Sequence, residues 1–242
     1  MTHSILSKEH LHVVSQFALS NVLLALDYDG TLAPIAPTPR SARMRAETRR
    51  LLAIVANLYP CVVISGRALD DLSRRLDGIP LWYLFGNHGL EPAPASTPHT
   101  AVVHEWVQRL RDTLPPDLGV QIEDKTHSLT IHYRHAPDKR RARAAIDAAL
   151  DAIPEARAMG GAEAVSVLRA HGPDKGVALQ QARRQFACDT APYVGDDDTD
   201  EVAFGSDSAD RLLAIRVGAA PESRARYHLE SQDDMDTLLA TL

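Results

Sequence analysis

Short uninterrupted apolar runs recur in the outer parts of the chain, at residues 22–26, 61–64, 81–86, 191–196 and 212–218. Runs of this length that end in Gly, Asp or Ser read as strands buried on both faces. Between them, apolar residues at helical spacing predict helices over 44–58, 68–76, 174–187 and 198–205. Strand and helix in alternation predict an α/β fold, a doubly wound Rossmann-like core around a parallel sheet.

The middle of the chain follows another pattern. Residues 91–98, EPAPASTP, form a Pro-rich stretch that neither a helix nor a strand interior tolerates. Beyond it the spacing predicts a helix over 101–114, strands over 119–124 and 127–134, a helix over 138–152 and a strand near 164–169. Strands without parallel crossovers predict an α+β insert. The expected division is therefore a core of 1–93 and 170–242 with an inserted cap of 94–169.

Hydrophobic content of 45% with 24% charged residues places the chain among folded globular proteins. A net charge of −6 provides no basic footprint for nucleic acid. No segment approaches 18 uninterrupted apolar residues and the N-terminus lacks a signal pattern, so no membrane partner and a cytoplasmic setting are expected. The two cysteines, Cys61 and Cys188, lack paired metal-site spacing and read as buried structural thiols. A monomer is favoured.

The chemistry gathers where predicted strands end, which is where open α/β sheets bind ligands. Asp27-Tyr28-Asp29-Gly30-Thr31 follows the first run, and Gly30 permits a sharp turn after two carboxylates. One carboxylate, ionised beside a cation, can attack while the other carries a proton; an acidic turn or helix cap is the alternative. Ser65 and Gly66 follow the second run and can hold a phosphate oxygen, or simply cap a helix. Lys175 opens a predicted helix and can neutralise a phosphoryl group, or be an ordinary surface lysine. Residues 195–201, GDDDTDE, crowd carboxylates that need a hard cation, and Mg2+ fits that need. An acidic helix N-terminus accounts in part for Asp198, Asp200 and Glu201.

The order of these four elements resembles the haloacid dehalogenase (HAD) superfamily of phosphatases. The resemblance implies Asp27 as nucleophile and Asp29 as general acid and then base. It also implies Ser65, Gly66 and Lys175 as phosphate binders, and a magnesium site drawn from Asp27, Asp29 and Asp196. Within the superfamily, DYDGTLAPI at 27–35, ISGR at 64–67, GNHG at 86–89, EDK at 123–125 and SLTIHYR at 128–134 resemble the trehalose-6-phosphate phosphatase family. This implies a small phosphosugar substrate, trehalose 6-phosphate, turned over through an aspartyl-phosphate. Arg67 and His88 are then expected on the substrate, His88 at the mouth between core and cap. Glu123, Lys125, His132 and Arg134 are expected in the cap region facing the sugar; an exposed strand face is the bland account of Glu123 and Lys125.

One stretch departs from the family. Where it carries an acidic residue before the Lys motif this chain has Val167, and Glu163 stands where a Lys is expected. Another glycosyl phosphate, or a catalytically silent sugar-phosphate-binding module, are the alternatives this leaves.

Overall fold

The computed structural model describes residues 2–38, 40–92, 99–161, 163–170 and 172–242. Most of the Pro-rich stretch expected as a linker, residues 93–98, therefore lies outside the described residues. The chain divides into two compact units, Met1–Gly89 with Pro173–Leu242, and Leu90–Gly172.

In chain order the elements are β1 (His3–Ser4), α1 (Leu11–Ala18), β2 (Leu24–Leu26), α2 (Ala46–Leu58), β3 (Cys61–Ile64), α3 (Leu69–Leu76) and β4 (Tyr83–Phe85). The second unit contributes α4 (His99–Thr113), β5 (Gln121–Asp124), β6 (Leu129–His132), α5 (Lys139–Asp151), β7 (Ala156–Gly161) and β8 (Ala164–Arg169). The first unit resumes with α6 (Lys175–Gln185), β9 (Ala191–Gly195), α7 (Glu201–Phe204), β10 (Leu212–Val217), β11 (Tyr227–Leu229) and α8 (Asp234–Thr241).

The first unit is built on a parallel seven-stranded sheet in the order β1-β11-β10-β9-β2-β3-β4. Because side chains alternate along a strand, Leu24, Leu26 and Val63 pack on one face with α2, α3 and α8, while Leu23, Ala25, Val62 and Ile64 pack on the other with α6. Both faces are covered, which is why the sequence reads as continuous apolar runs. β2 lies between β3 and β9, so the chain's direction of travel across the sheet reverses beside it. In open α/β sheets ligands bind beside such a switch point, outside the strands' carboxyl ends. Both cysteines are free and buried, and burial pushes the Cys61 thiol up to about 12.

The second unit is an antiparallel sheet, β5-β6-β8-β7, with α4 and α5 packed on it around Trp106, Leu110, Ile131, Ile146, Val165 and Val167.

The sequence reading did not anticipate β1, α1, β7, β11 or α8. β7, ARAMGG, is poor in strand-forming residues and lies at a sheet edge, and α8 opens on a polar turn, so neither carries a strong periodic signal. The helix expected over 198–205 is instead a 3₁₀ turn at Asp198–Asp200 followed by the single turn of α7, because the chain is capped and drawn inward by Asp197 and Asp200.

Candidate active site

β2 ends at Leu26, and the Asp27 N–H still donates to the Val194 carbonyl of β9 at 2.9 Å, so the sheet itself aims Asp27 off its edge. The next residues turn tightly. Gly30 N–H donates to Ala33 O at 2.7 Å and Ala33 N–H to Tyr28 O at 2.8 Å. Gly30 sits at φ +76°, and a Cβ there would lie 1.9 Å from Asp196 Oδ2. Only glycine meets both the backbone and the spatial demand. Leu26 is in register with Val63 and with Val194, so Asp27, Ser65 and Asp196 all leave the sheet at the same edge.

Lys175 is only 2% exposed. Its Nζ lies 3.0 Å from Asp27 Oδ2 and donates to Asp200 Oδ1 at 2.7 Å. α6 begins there because Asp174 caps it, its carboxylate accepting the Val177 N–H at 3.0 Å. Asp200 is wholly buried, and its oxygens are fully used. Oδ1 also accepts Tyr193 OH at 2.6 Å, while Oδ2 accepts the N–H groups of Asp196 and Asp197 at 3.1 and 3.0 Å. Asp200 therefore fixes the loop that presents Asp196 and also holds Lys175 in place. A Cβ at Gly195 would strike its carboxylate at 2.3 Å.

Asp27, Asp196 and Asp200 each offer an oxygen within 4.8 Å of the others. Asp27 Oδ1 is buried without a hydrogen-bond partner among the described residues, and Asp196 Oδ1 accepts only a long 3.3 Å bond from Thr31. Two hard oxygen donors with spare capacity beside a saturated third fit a small divalent cation. The electrostatics agree. Burial raises the Asp27 carboxyl to about 8, partly offset by Lys175 and reinforced by Asp200 and Asp29. Burial and the charges of Asp27 and Asp200 push Asp196 well above the carboxylate range, and Asp197 is raised to about 6, chiefly by burial. Burial opposes the charge on Lys175, but Asp200 and Asp27 outweigh it and keep the ammonium protonated. A cation among these carboxylates would hold them ionised.

Asp29, expected beside Asp27 as a further metal ligand, has its Oδ1 on Arg67 Nη2 at 2.6 Å and is not part of the close carboxylate group. Arg67, expected on the substrate, is 7% exposed and its other arm donates to Asp71 at 2.7 Å. Ser65 is buried at the end of β3, anchored by its N–H on Phe85 O at 2.9 Å, and its Oγ accepts the Arg67 N–H at 3.3 Å. Asn87 and His88 adopt φ of 48° and 58°, a left-handed geometry that costs non-glycine residues energy. It brings the His88 ring against Gly66, where a Cβ would sit 2.5 Å from the ring.

In the second unit, register puts Glu123, Thr130 and Ser166 in one row across β5, β6 and β8, with His132 on the same face, opposite the apolar core. Glu123 Oε2 meets His132 Nε2 at 2.9 Å and Lys125 Nζ at 3.8 Å. Arg134 lies 3.3 Å from Glu163, which also pairs with Lys139. Four expected sugar-facing residues thus form two ionic groups. Val167 points the other way, fully buried in the core of this unit, so its side chain cannot contact a sugar.

Sequence reasoning missed Asp200 and Tyr193. Asp200 read only as one member of the 195–201 carboxylate cluster and in part as a helix N-terminal charge, and Tyr193 as one more apolar strand residue; the single signal for Tyr193 was a hydroxyl-bearing ring in a run buried on both faces.

The family model for trehalose-phosphatase matches residues 25–233. A relative from Mycolicibacterium paratuberculosis, a trehalose-phosphate phosphatase, is 35% identical over 89% of this chain and 56% of its own length. One from Oryza sativa subsp. japonica, a probable trehalose-phosphate phosphatase 4, is 28% identical over 91% of this chain and 65% of its own. The chain thus spans somewhat over half the length of these curated relatives. Among solved structures, the C-terminal domain of the C. albicans trehalose-6-phosphate phosphatase superposes with a TM-score of 0.80 at 20% identity, covering 99% of this chain and 97% of that one. With carboxylates at the strand ends and a buried lysine at the start of α6, the match over most of its length makes this chain a member of the trehalose-phosphatase family.

Proposed function

We propose that this protein hydrolyses trehalose 6-phosphate to trehalose and phosphate, with Asp27 as nucleophile and Mg2+ as cofactor. The observation that carries the reading is the state of Asp27: buried, one oxygen on Lys175, the other, beside Asp196, without a partner among the described residues. A carboxylate buried in that way is costly for structure alone and suited to a reacting centre.

Asp27 attacks phosphorus in line, forming a carboxyl–phosphoryl bond as the ester bond to the sugar oxygen breaks. Asp29, steadied by Arg67, donates its proton to that leaving oxygen. Lys175, with Ser65 and Gly66, neutralises and orients the phosphoryl oxygens. Water then attacks phosphorus while Asp29 takes its proton, releasing phosphate and restoring Asp27. A divalent cation on Asp27 and Asp196 would supply charge neutralisation and alignment of the phosphoryl group. Glu123, Lys125, His132 and Arg134 are the proposed sugar-recognising groups, their polar ends suited to hydroxyls.

The partner is thus a small phosphosugar. The acidic net charge argues against nucleic acid, and among the described residues no helix is long and apolar enough to cross a membrane. A cytoplasmic setting and a monomer belong to the same reading.

The test is phosphate release from trehalose 6-phosphate, glucose 6-phosphate and sucrose 6-phosphate, with magnesium and with chelator. Magnesium-dependent release selective for trehalose 6-phosphate is expected. Release from another ester alone would move the substrate, and release from none would return the silent-module alternative.

A further inference from the structure

On the flank formed by α2, α3 and the segment before α2, the first unit has a cleft of about 510 Å3. Five arginines line it, Arg40, Arg43, Arg49, Arg74 and Arg75, against two carboxylates, Asp71 and Asp77. The formal charge of the lining is +3 in a chain whose net charge is −6. A local field of the opposite sign to the whole molecule needs a reason.

Intramolecular pairing does not supply it. Arg75 Nε pairs with Asp71 at 2.8 Å, and Arg74 pairs with the exposed Asp70. Asp71 is shared with Arg67, which does not line the cleft, so its negative charge is already divided. Arg49 donates to the Arg75 carbonyl at 2.9 Å and to the Asp77 carbonyl. Carbonyls satisfy its N–H groups but leave its charge uncompensated. Arg40 and Arg43 have no carboxylate within ion-pair distance among the described residues. Three guanidiniums thus lack a carboxylate at ion-pair distance among the described residues, and they share a concave surface, where the field is focused. The buried Tyr28 ring lines the same cleft and holds the Arg75 guanidinium 6.0 Å from its centroid, which fixes that donor in place.

Planar forked donors suit tetrahedral phosphate oxygens. The lining offers little apolar surface beyond Tyr28 and Met44, which disfavours an aromatic or acyl ligand. We propose that this cleft binds a phosphate-class anion, at a site separate from that of Asp27. Free phosphate and the phosphoryl end of a sugar phosphate share the chemistry required.

The probe is inorganic pyrophosphate, titrated calorimetrically into the full chain in metal-free buffer, so that the reading does not depend on turnover. The double variant Arg40→Ala/Arg43→Ala changes exposed residues outside the catalytic machinery and should keep its melting temperature and basal activity. We expect it to bind pyrophosphate about tenfold more weakly or worse, with Arg40→Lys/Arg43→Lys in between and Asp27→Asn binding as the wild type does. Displacement of the probe by inorganic phosphate or by glucose 6-phosphate separates the two sources. Unchanged binding by the alanine variant, loss of binding in Asp27→Asn alone, or no binding to the wild type at millimolar probe would overturn the proposal.

Discussion

The two units treat their polar residues in opposite ways. In the first, Asp27, Lys175 and Asp200 are buried and interlocked by bonds of 2.6 to 3.1 Å, each oriented by a strand end or a helix start. In the second, Glu123 and His132 stand on the sheet face opposite the core and Arg134 lies in the turn after β6, all partly exposed and paired through flexible side chains. Buried networks are costly to disturb because the low dielectric magnifies each unpaired charge, whereas exposed pairs contribute little to stability. Rigid chemistry in one unit and adaptable recognition in the other is the division this predicts.

The largest test is of the proposed nucleophile. Asp27→Asn should lower turnover about 10⁴-fold or more, measured by phosphate release, while the fold persists. Activity near wild type would move the chemistry away from the first unit's buried site.

Asp200→Asn should be costly in a different way. Its four donors need two acceptor oxygens, and an amide turns a donor toward one pair of them. Stability should fall by about 3–5 kcal/mol by denaturant titration, as when a buried pair loses one partner. A loss of activity with unchanged stability would mean that Asp200 is not the organising group.

Val167→Glu sharpens the comparison from the other side. If this position faced a sugar, the acid would be tolerated; buried in the apolar core of the second unit, it should destabilise by about 3 kcal/mol or more, read from the same titration.

Acidity offers a milder probe. Asp27, Asp196 and Asp197 have folded-state pKa values raised by burial, so the folded metal-free protein holds more protons than the unfolded chain. Their contribution is fully present below the unfolded carboxylate range and is lost as pH rises through about 6 for Asp197 and about 8 for Asp27. The melting temperature without metal should therefore fall between about pH 5 and 9, and magnesium should flatten that slope by holding the carboxylates ionised. A rising slope in the metal-free protein would contradict the burial argument. Smallest of all, Glu123→Ala should reduce kcat/KM about tenfold through KM, with little change in melting temperature.

Part of this was legible without coordinates. Asp27, Asp29, Ser65, Lys175 and Asp196 stand out because each follows an apolar run or opens a helical one, and strand ends in such sheets are where ligands gather. Elements such as the edge strand β7 and the three-residue β11 were not legible, being too poor in apolar alternation or too short to leave a pattern. Asp200 was hidden differently. Its sequence position suits a helix N-terminus, and only the approach of Lys175 and Tyr193, brought together by the sheet, makes it the centre of a network.

Local pattern pointed to the doubly wound core, the α+β insert and the carboxylates at strand ends, because periodicity and turn residues act over a few neighbours. The pairing of Asp29 with Arg67, the inward side of Val167 and the unbalanced arginine cleft were decided only by tertiary structure. Charge and burial depend on what the fold brings within a few ångströms from distant parts of the chain, and no local spacing records that distance.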